Sequence, residues 1–328
     1  MRILALVPGG ISDQLLFFPA LESIKKAYPN AEIGVVVEPK AAVAYRVSKI
    51  VDTVVPFAFS ATKSPSDWAN LLGIVRDREY EVAITTDLSW SMGLMLWLSG
   101  IPTRVTYSNT SGGWFYTTTI PDQSLSDQPS GQQYQADRYH DLLAAINIEG
   151  PTPDLAINLP EGDLAWANTL RDQQQLKDGY VLMYPGQDTG SSGKEAQYPT
   201  SSWQALISDF RNKQPKMPIV LLQTQGSVGQ SSILKSQDDQ LIVAAAENIG
   251  QAAAVIAGAD LVITPDSYAM QLSTALKVFT LALFGKNSPQ EMLPPVKGEE
   301  TRFLGIASAT AKVTDIPPDD VLKKVWGG

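Results

Sequence analysis

The sequence predicts an α/β chain of two doubly wound halves facing each other across a cleft, and three observations carry the prediction. Short β-branched, apolar runs alternate with helical patterns through residues 1–150. That alternation restarts after a Pro-bearing connection, Glu149 to Pro160, and continues through residues 151–328. A chain of 328 residues is long enough for two cores of ordinary size. Apolar strands alternating with helices imply parallel sheets covered on both faces. Each half is therefore expected to be doubly wound, with ligands at the carboxyl ends of the strands.

In the first half, Ile3–Val7, Glu32–Val37, Thr53–Phe57, Val82–Thr86 and Arg104–Tyr107 read as strands. Between the first two, Gln14–Tyr28 carries Leu15, Phe18, Leu21, Ile24 and Tyr28 at three- and four-residue spacing, the signature of an amphipathic helix. The polar segment Ser124–Gln135 reads as an exposed loop and Ala136–Ile146 as a helix. In the second half the strands are Tyr180–Tyr184, Ile219–Gln223, Leu261–Thr264 and Thr280–Phe284. Ser202–Asn212, Leu241–Ala257 and Ala269–Lys277 read as helices, and Asp319-Asp320 as the cap of a last one, PPDDVLKKVW. The apolar run Met92–Leu98, ringed by Trp90, Trp97 and Trp114, reads as core; the other reading makes it a contact surface for a lipid-linked or aromatic acceptor.

Composition narrows the function. A hydrophobic content of 44% with 18% charged residues describes a folded chain. A net charge of -9 argues against nucleic acid and against bulk attraction to anionic membrane. Cysteine is absent, which excludes thiolate chemistry and disulfides. With His140 as the single histidine, on a predicted helix, no histidine cluster or multi-histidine metal site exists, and this residue reads as surface or packing. The N-terminal MRILALVPGG reads as a strand rather than a signal peptide, and Met92–Ile101 is far short of the roughly 20 residues that span a bilayer. The expectation is a cytoplasmic protein without a transmembrane segment, with peripheral attachment to the inner face of a membrane left open.

Three strand-to-helix corners carry the candidate chemistry. In VPGGISDQLLFFPAL, Gly9 and Gly10 permit a tight turn, and Ser12 or Asp13 opens a helix either as a cap or, for Asp13, as a general base. In YPGQDTGSSGKEAQYP, Gly186 follows a strand and Lys194 sits in a Gly/Ser-rich loop suited to phosphate, or to no ligand at all. In TPDSYAMQLSTALK, Asp266 and Ser267 precede a helix whose N-terminal amides and dipole favour an anion; capping is again the plainer reading.

The order of these corners resembles glycosyltransferase family 9, the ADP-heptose:lipopolysaccharide heptosyltransferase family. Its strand, S-x-G-D and P-A-L helix are matched by GGISDQLLFFPALESIKKAYPNAEIGVVV, with Ser12 in place of the Gly before Asp13. LWLSGIPTRVTY, ADRYHDLLAAINI and IAGADLVITPDSYAMQLSTALKVFTLALFG continue the similarity to about Pro295. The resemblance implies a GT-B fold of two Rossmann-like domains: residues 1–150 as the acceptor-side domain and 151–328 as the nucleotide-sugar donor domain. It further implies that Asp13 is the catalytic base, with Gly9, Gly10 and Ser12 as the acceptor-side loop. Gly186, Lys194, Asp266, Ser267, Tyr268 and Gln271 would form the donor-diphosphate site. The implied reaction is metal-independent and inverting, carrying a heptose-like sugar to a lipopolysaccharide or glycan hydroxyl. No cofactor is implied; a nucleotide-diphosphate sugar is the substrate, with ADP-sugar favoured.

The family's D-[ST]-G-P-M-H-L is altered here to Asp266-Ser267-Tyr268-Ala269-Met270-Gln271-Leu272. Tyr268 replaces the Gly that lets diphosphate approach, and Gln271 replaces the His, so the position cannot become cationic. The family's Lys before the aromatic–Pro step is Ala196 here, with Lys194 two residues away as its substitute. Two expectations follow: an active transferase with altered donor recognition, whose partners are nucleotide sugar and a glycan or lipid-linked acceptor, or a non-catalytic GT-B protein that binds a protein partner.

Overall fold

The computed structural model describes residues 1–122, 133–186, 197–296 and 301–327. It divides into two compact units, Met1–Leu155 and Ala156–Gly328. In the first, β1 (Arg2–Val7), β2 (Glu32–Val37), β3 (Thr53–Pro56), β4 (Val82–Thr85), β5 (Thr103–Tyr107) and β6 (Thr118–Ile120) form one sheet ordered β3-β2-β1-β4-β5-β6. In the second, β7 (Val181–Met183), β8 (Ile219–Gln223), β9 (Ile242–Ala245), β10 (Leu261–Pro265), β11 (Phe279–Phe284) and β12 (Phe303–Ala307) are ordered β12-β11-β10-β7-β8-β9. All of these pairings are parallel. Counted from its own first strand, the second sheet repeats the winding of the first. The strand order of each sheet reverses between its first and fourth strands, at β1/β4 and at β7/β10. A ligand site is expected outside the carboxyl ends at such a switch point.

The helices are α1 (Ile11–Ala27), α2 (Pro65–Asp77), α3 (Trp90–Ser99), α4 (Gln135–Asp141), α5 (Glu161–Gln173), α6 (Thr200–Lys213), α7 (Val228–Gln237), α8 (Ile249–Ile256), α9 (Tyr268–Ala275), α10 (Pro289–Met292) and α11 (Pro318–Trp326). Strand side chains alternate between faces, so every sheet needs two layers of cover. Leu4 and Leu6 of β1 and Val36 of β2 join Leu71, Val75, Met92, Met95 and Leu96 in one core under α2 and α3. Val181, Met183, Ile219, Leu221, Ile263, Leu281 and Leu283 pack with Trp203, Leu206, Phe210 and Val321 in the core under α6 and α11.

The structure departs from the sequence reading in several places. Leu241–Ala257 is not one helix. Ile242–Ala245 is the edge strand β9, paired with Val220–Gln223, and α8 starts afresh where the Asn248 side chain accepts the Gln251 amide at 3.0 Å. The edge strands β6 and β12 were not foreseen; both are partly exposed, and Thr118–Ile120 lacks the continuous apolar run that marks inner strands. The helix read as Ala136–Ile146 is α-helical only to Asp141 and tightens to a 3-10 turn over Leu142–Ile146. Asp319 and Asp320 do not cap α11: they lie in its first turn, with Pro317 at the capping position. The inner face of α3 is core, but Trp90, Trp97 and Trp114 are 58%, 49% and 74% exposed, so those rings are not. Among the described residues no helix is long and apolar enough to cross a membrane.

Candidate functional site

The first corner lies at the β1 exit. Gly9 has a φ of +111°, and a Cβ there would stand 2.3 Å from Asp13 Oδ2, so both its conformation and its neighbour require glycine. Gly10 is extended and donates its backbone N–H to Asp13 Oδ2 at 2.8 Å. Asp13 thus reaches back to the helix start, as an acidic residue in the first turn of a helix can. Its other oxygen, Oδ1, receives the Tyr139 hydroxyl of α4 at 3.4 Å. Burial pushes the Asp13 carboxyl above its ordinary range, against the pull of these two bonds. Burial also raises the Tyr139 hydroxyl well above its usual range, so it stays a neutral donor.

Behind this carboxylate the corner is tightly tied. Gln14 is fully buried, donates to Val7 O at 2.9 Å and accepts from the Tyr45 hydroxyl at 2.9 Å. Ser12 is buried as well. On α4, His140 is buried and its Nε2 pairs with Ser23 Oγ of α1 at 2.8 Å, which makes it a packing residue. Gln14, Tyr45 and Tyr139 were not legible as site residues, because no motif marks them and Tyr139 approaches from more than a hundred residues away.

The second unit brings Gly186, Asp266, Ser267, Tyr268 and Gln271 to the β7/β10 switch point. Lys194, with Ala196, lies outside the described residues. Ser267 stands at the N-cap of α9 without capping it; its Oγ pairs instead with Thr264 Oγ1 at 2.9 Å, inside the protein. Asp266 is partly exposed and its Oδ2 accepts from Asn287 Nδ2 at 2.6 Å. Tyr268, the first residue of α9, is 8% exposed, and its ring meets Tyr184 edge-on with centroids 5.6 Å apart. The Tyr184 hydroxyl lies 3.4 Å from that of Tyr268 and 3.3 Å from Thr224 Oγ1. The Tyr184 ring covers Gly186 so closely that a Cβ there would be 2.5 Å from its Cζ. Two aromatic rings therefore bridge the β7 exit and the α9 start.

Gln271 is fully buried one turn further along. Its Nε2 donates to Met292 O of α10 at 2.9 Å, while its Oε1 finds no partner among the described residues. The side chain ties α9 to α10 and carries no charge.

Two doubly wound parallel sheets of identical winding, with loop–helix corners at their switch points, define the GT-B class of proteins. Within it, the model of glycosyltransferase family 9 (heptosyltransferase) matches residues 68–316, and this chain belongs to that family. Among solved structures, the chain is similar to the Escherichia coli ADP-heptose lipopolysaccharide heptosyltransferase II, with 18% identity, 100% of this chain and 98% of that one covered, and a TM-score of 0.76. A family 9 glycosyltransferase of Veillonella parvula gives 17% identity, 99% and 96% coverage and a TM-score of 0.80. Both likenesses establish the fold. A different relative is the Arabidopsis thaliana protein named photosynthetic NDH subunit of subcomplex B 1, chloroplastic, 20% identical over 333 residues, covering 96% of this chain and 71% of that one.

Proposed function

We propose that this chain is a family 9 fold that no longer transfers sugar and acts as a protein-binding subunit of a larger assembly. The carrying observation is the buried Tyr184–Tyr268 pair at the start of α9, which we read as occupying the approach to its amides. A diphosphate on a helix start needs bare backbone and gains from a nearby cation. Here a ring stands at the position the family gives to Gly, and a neutral Gln271, engaged with Met292, stands where it has His. Each charge-assisted contact is worth about 1.5–3 kcal/mol, so losing two weakens a donor by roughly 10²- to 10⁴-fold. The plant relative, named as a subunit of a multi-protein complex, supports the same reading. Calorimetric titration with ADP, UDP and GDP tests it. No binding at millimolar nucleotide is expected; micromolar binding that disappears in Asp266→Ala would overturn it.

One observation favours a second reading. The Asp13 carboxylate, raised by burial and oriented by Gly10 and Tyr139, has the character of a general base. In an active inverting transferase it would take the proton of an acceptor hydroxyl, on a lipopolysaccharide or other glycan, as that oxygen attacks the anomeric carbon. The nucleoside diphosphate, ADP by the family's preference, would leave without any metal. Lys194 is the cation this reading assigns to the diphosphate. Asp13→Asn should then abolish transfer while donor binding persists, and an unchanged turnover rate would refute the base.

A further inference from the structure

The first unit carries an apolar surface that neither reading of the nucleotide corner uses. Helix α3, WSMGLMLWLS, contains no charged residue. Its inner face, Met92, Met95 and Leu96, is core. Its outer face is apolar too: Trp90, Trp97 and Leu98 recur at i, i+7 and i+8, 58%, 49% and 42% exposed, with Leu94 half-buried between them against the core. A helix this apolar on more than one face belongs in an interior, yet Trp90, Trp97 and Leu98 of α3 face solvent. Trp114 extends the surface, 74% exposed, stacked on Phe115 at 3.7 Å and 6.5 Å from Trp97.

The charge pattern discriminates among occupants. Between Leu88 and Ile120 the single charged residue is Arg104, and its guanidinium is turned onto the carbonyls of Phe115 and Ile101. Helices that lie on bilayers set Lys and Arg beside their apolar face, and this one has none, in a chain of net charge -9. A second copy fits poorly too. An isologous pairing would bring two chains of net charge -9 face to face, and their like charge opposes it. What the face does match is the charge-poor, Trp-rich centre of a protein interface, with anchors spaced for insertion into a groove.

We infer that α3 and the Trp114 turn insert into an uncharged, apolar groove of a different protein, whose rim is basic to complement this acidic chain. The inference rests on the partner-binding part of the proposed function.

The test uses the full chain in its own cells, with a photoreactive benzophenone amino acid at Trp97 and, as control, at the exposed Ile233 of the second unit. A crosslink from position 97 to one non-self protein, at apolar residues of that protein, is expected. That protein, purified, should bind wild type at least 100-fold more tightly than Trp97→Ser/Trp114→Ser. Leu98→Glu, which adds a charge without removing a ring, gives the same readout should the double variant melt early. Purified wild type should sediment as a monomer and fail to float with phosphatidylcholine vesicles. Self-crosslinking, a dimer that the variant loses, flotation with vesicles, crosslinking no stronger than at Ile233, or equal affinity of the variants would each overturn the inference. The nucleotide titration separates the two claims: a chain that binds no nucleotide and gives no crosslink loses only the docking surface, and one that binds nucleotide and crosslinks loses only the non-catalytic reading.

Discussion

Replacing Tyr268 by Gly restores the family's residue at the head of α9 and removes the ring packed against Tyr184. A Tyr side chain buries about 200 Å², and here only 8% of the residue stays exposed. At about 25 cal/mol per Å² this amounts to roughly 4.5 kcal/mol, reduced to about 3–4 kcal/mol by the compactness of real unfolded chains. The edge-on contact with Tyr184 adds about 1 kcal/mol, and the extra freedom of Gly about 0.5–1 kcal/mol. The variant should therefore lose about 5 kcal/mol. Tyr268→Phe keeps the ring and removes the hydroxyl that meets Tyr184 at 3.4 Å, so it should lose about 1 kcal/mol, the net worth of a hydrogen bond, and clearly less than the Gly variant. Native-state hydrogen exchange of the β10 and β11 amides reads the change in the unit where it occurs, without assuming that the whole chain unfolds in one step. A loss below about 1.5 kcal/mol in the Gly variant, or equal losses in Gly and Phe, would show that the ring is not seated between β7 and α9.

Asp13→Asn keeps acceptor geometry for Gly10 but removes a carboxylate that burial disfavours. Because the folded carboxyl is raised, its contribution to stability is full below about pH 3.9, the unfolded value, and is lost as pH rises through the folded one. The Asn variant should melt above the parent at pH 7, with the gain fading towards pH 3; a variant that melts lower at pH 7 contradicts this. His140 is shifted the other way. Burial holds it below its ordinary value of 6.5, against the opposing pull of Asp141 and Asp137, so its contribution is present above pH 6.5 and lost as pH falls through the folded value. His140→Gln should flatten the fall in Tm between pH 7.5 and 5, and parallel curves for parent and variant would exclude the effect. Gly9→Ala forces a side chain into positive φ and against Asp13 Oδ2, costing about 2–3 kcal/mol by strain and a disturbed cap. A thermal melt within about 0.5 kcal/mol of the parent would mean that the turn relaxes freely.

The inner strands were readable because they are buried on both faces: Glu32–Val37 and Ile219–Gln223 are continuous apolar runs with the observed bounds. The edge strands were not, since β9 is four residues whose Ala and Val serve a helix equally well. The corners were readable as strand-to-helix junctions through Gly9, Asp13, Asp266 and Ser267. What surrounds them was not. Tyr139 meets Asp13 across 126 positions, and Tyr184 meets Tyr268 across 84. Separations of that size carry no local period or spacing.

The order of residues by itself determined the winding of two parallel sheets, because alternating apolar strands and amphipathic helices admit few other ways to bury both faces. It also determined that the α9 corner carries Tyr and Gln where the family has Gly and His. Only the tertiary structure decided what those changes do, since the direction of a ring depends on its neighbours in space. Tyr268 lies buried against Tyr184, Gln271 turns inward to Met292, and the Trp residues of α3, expected in the core, are about half exposed.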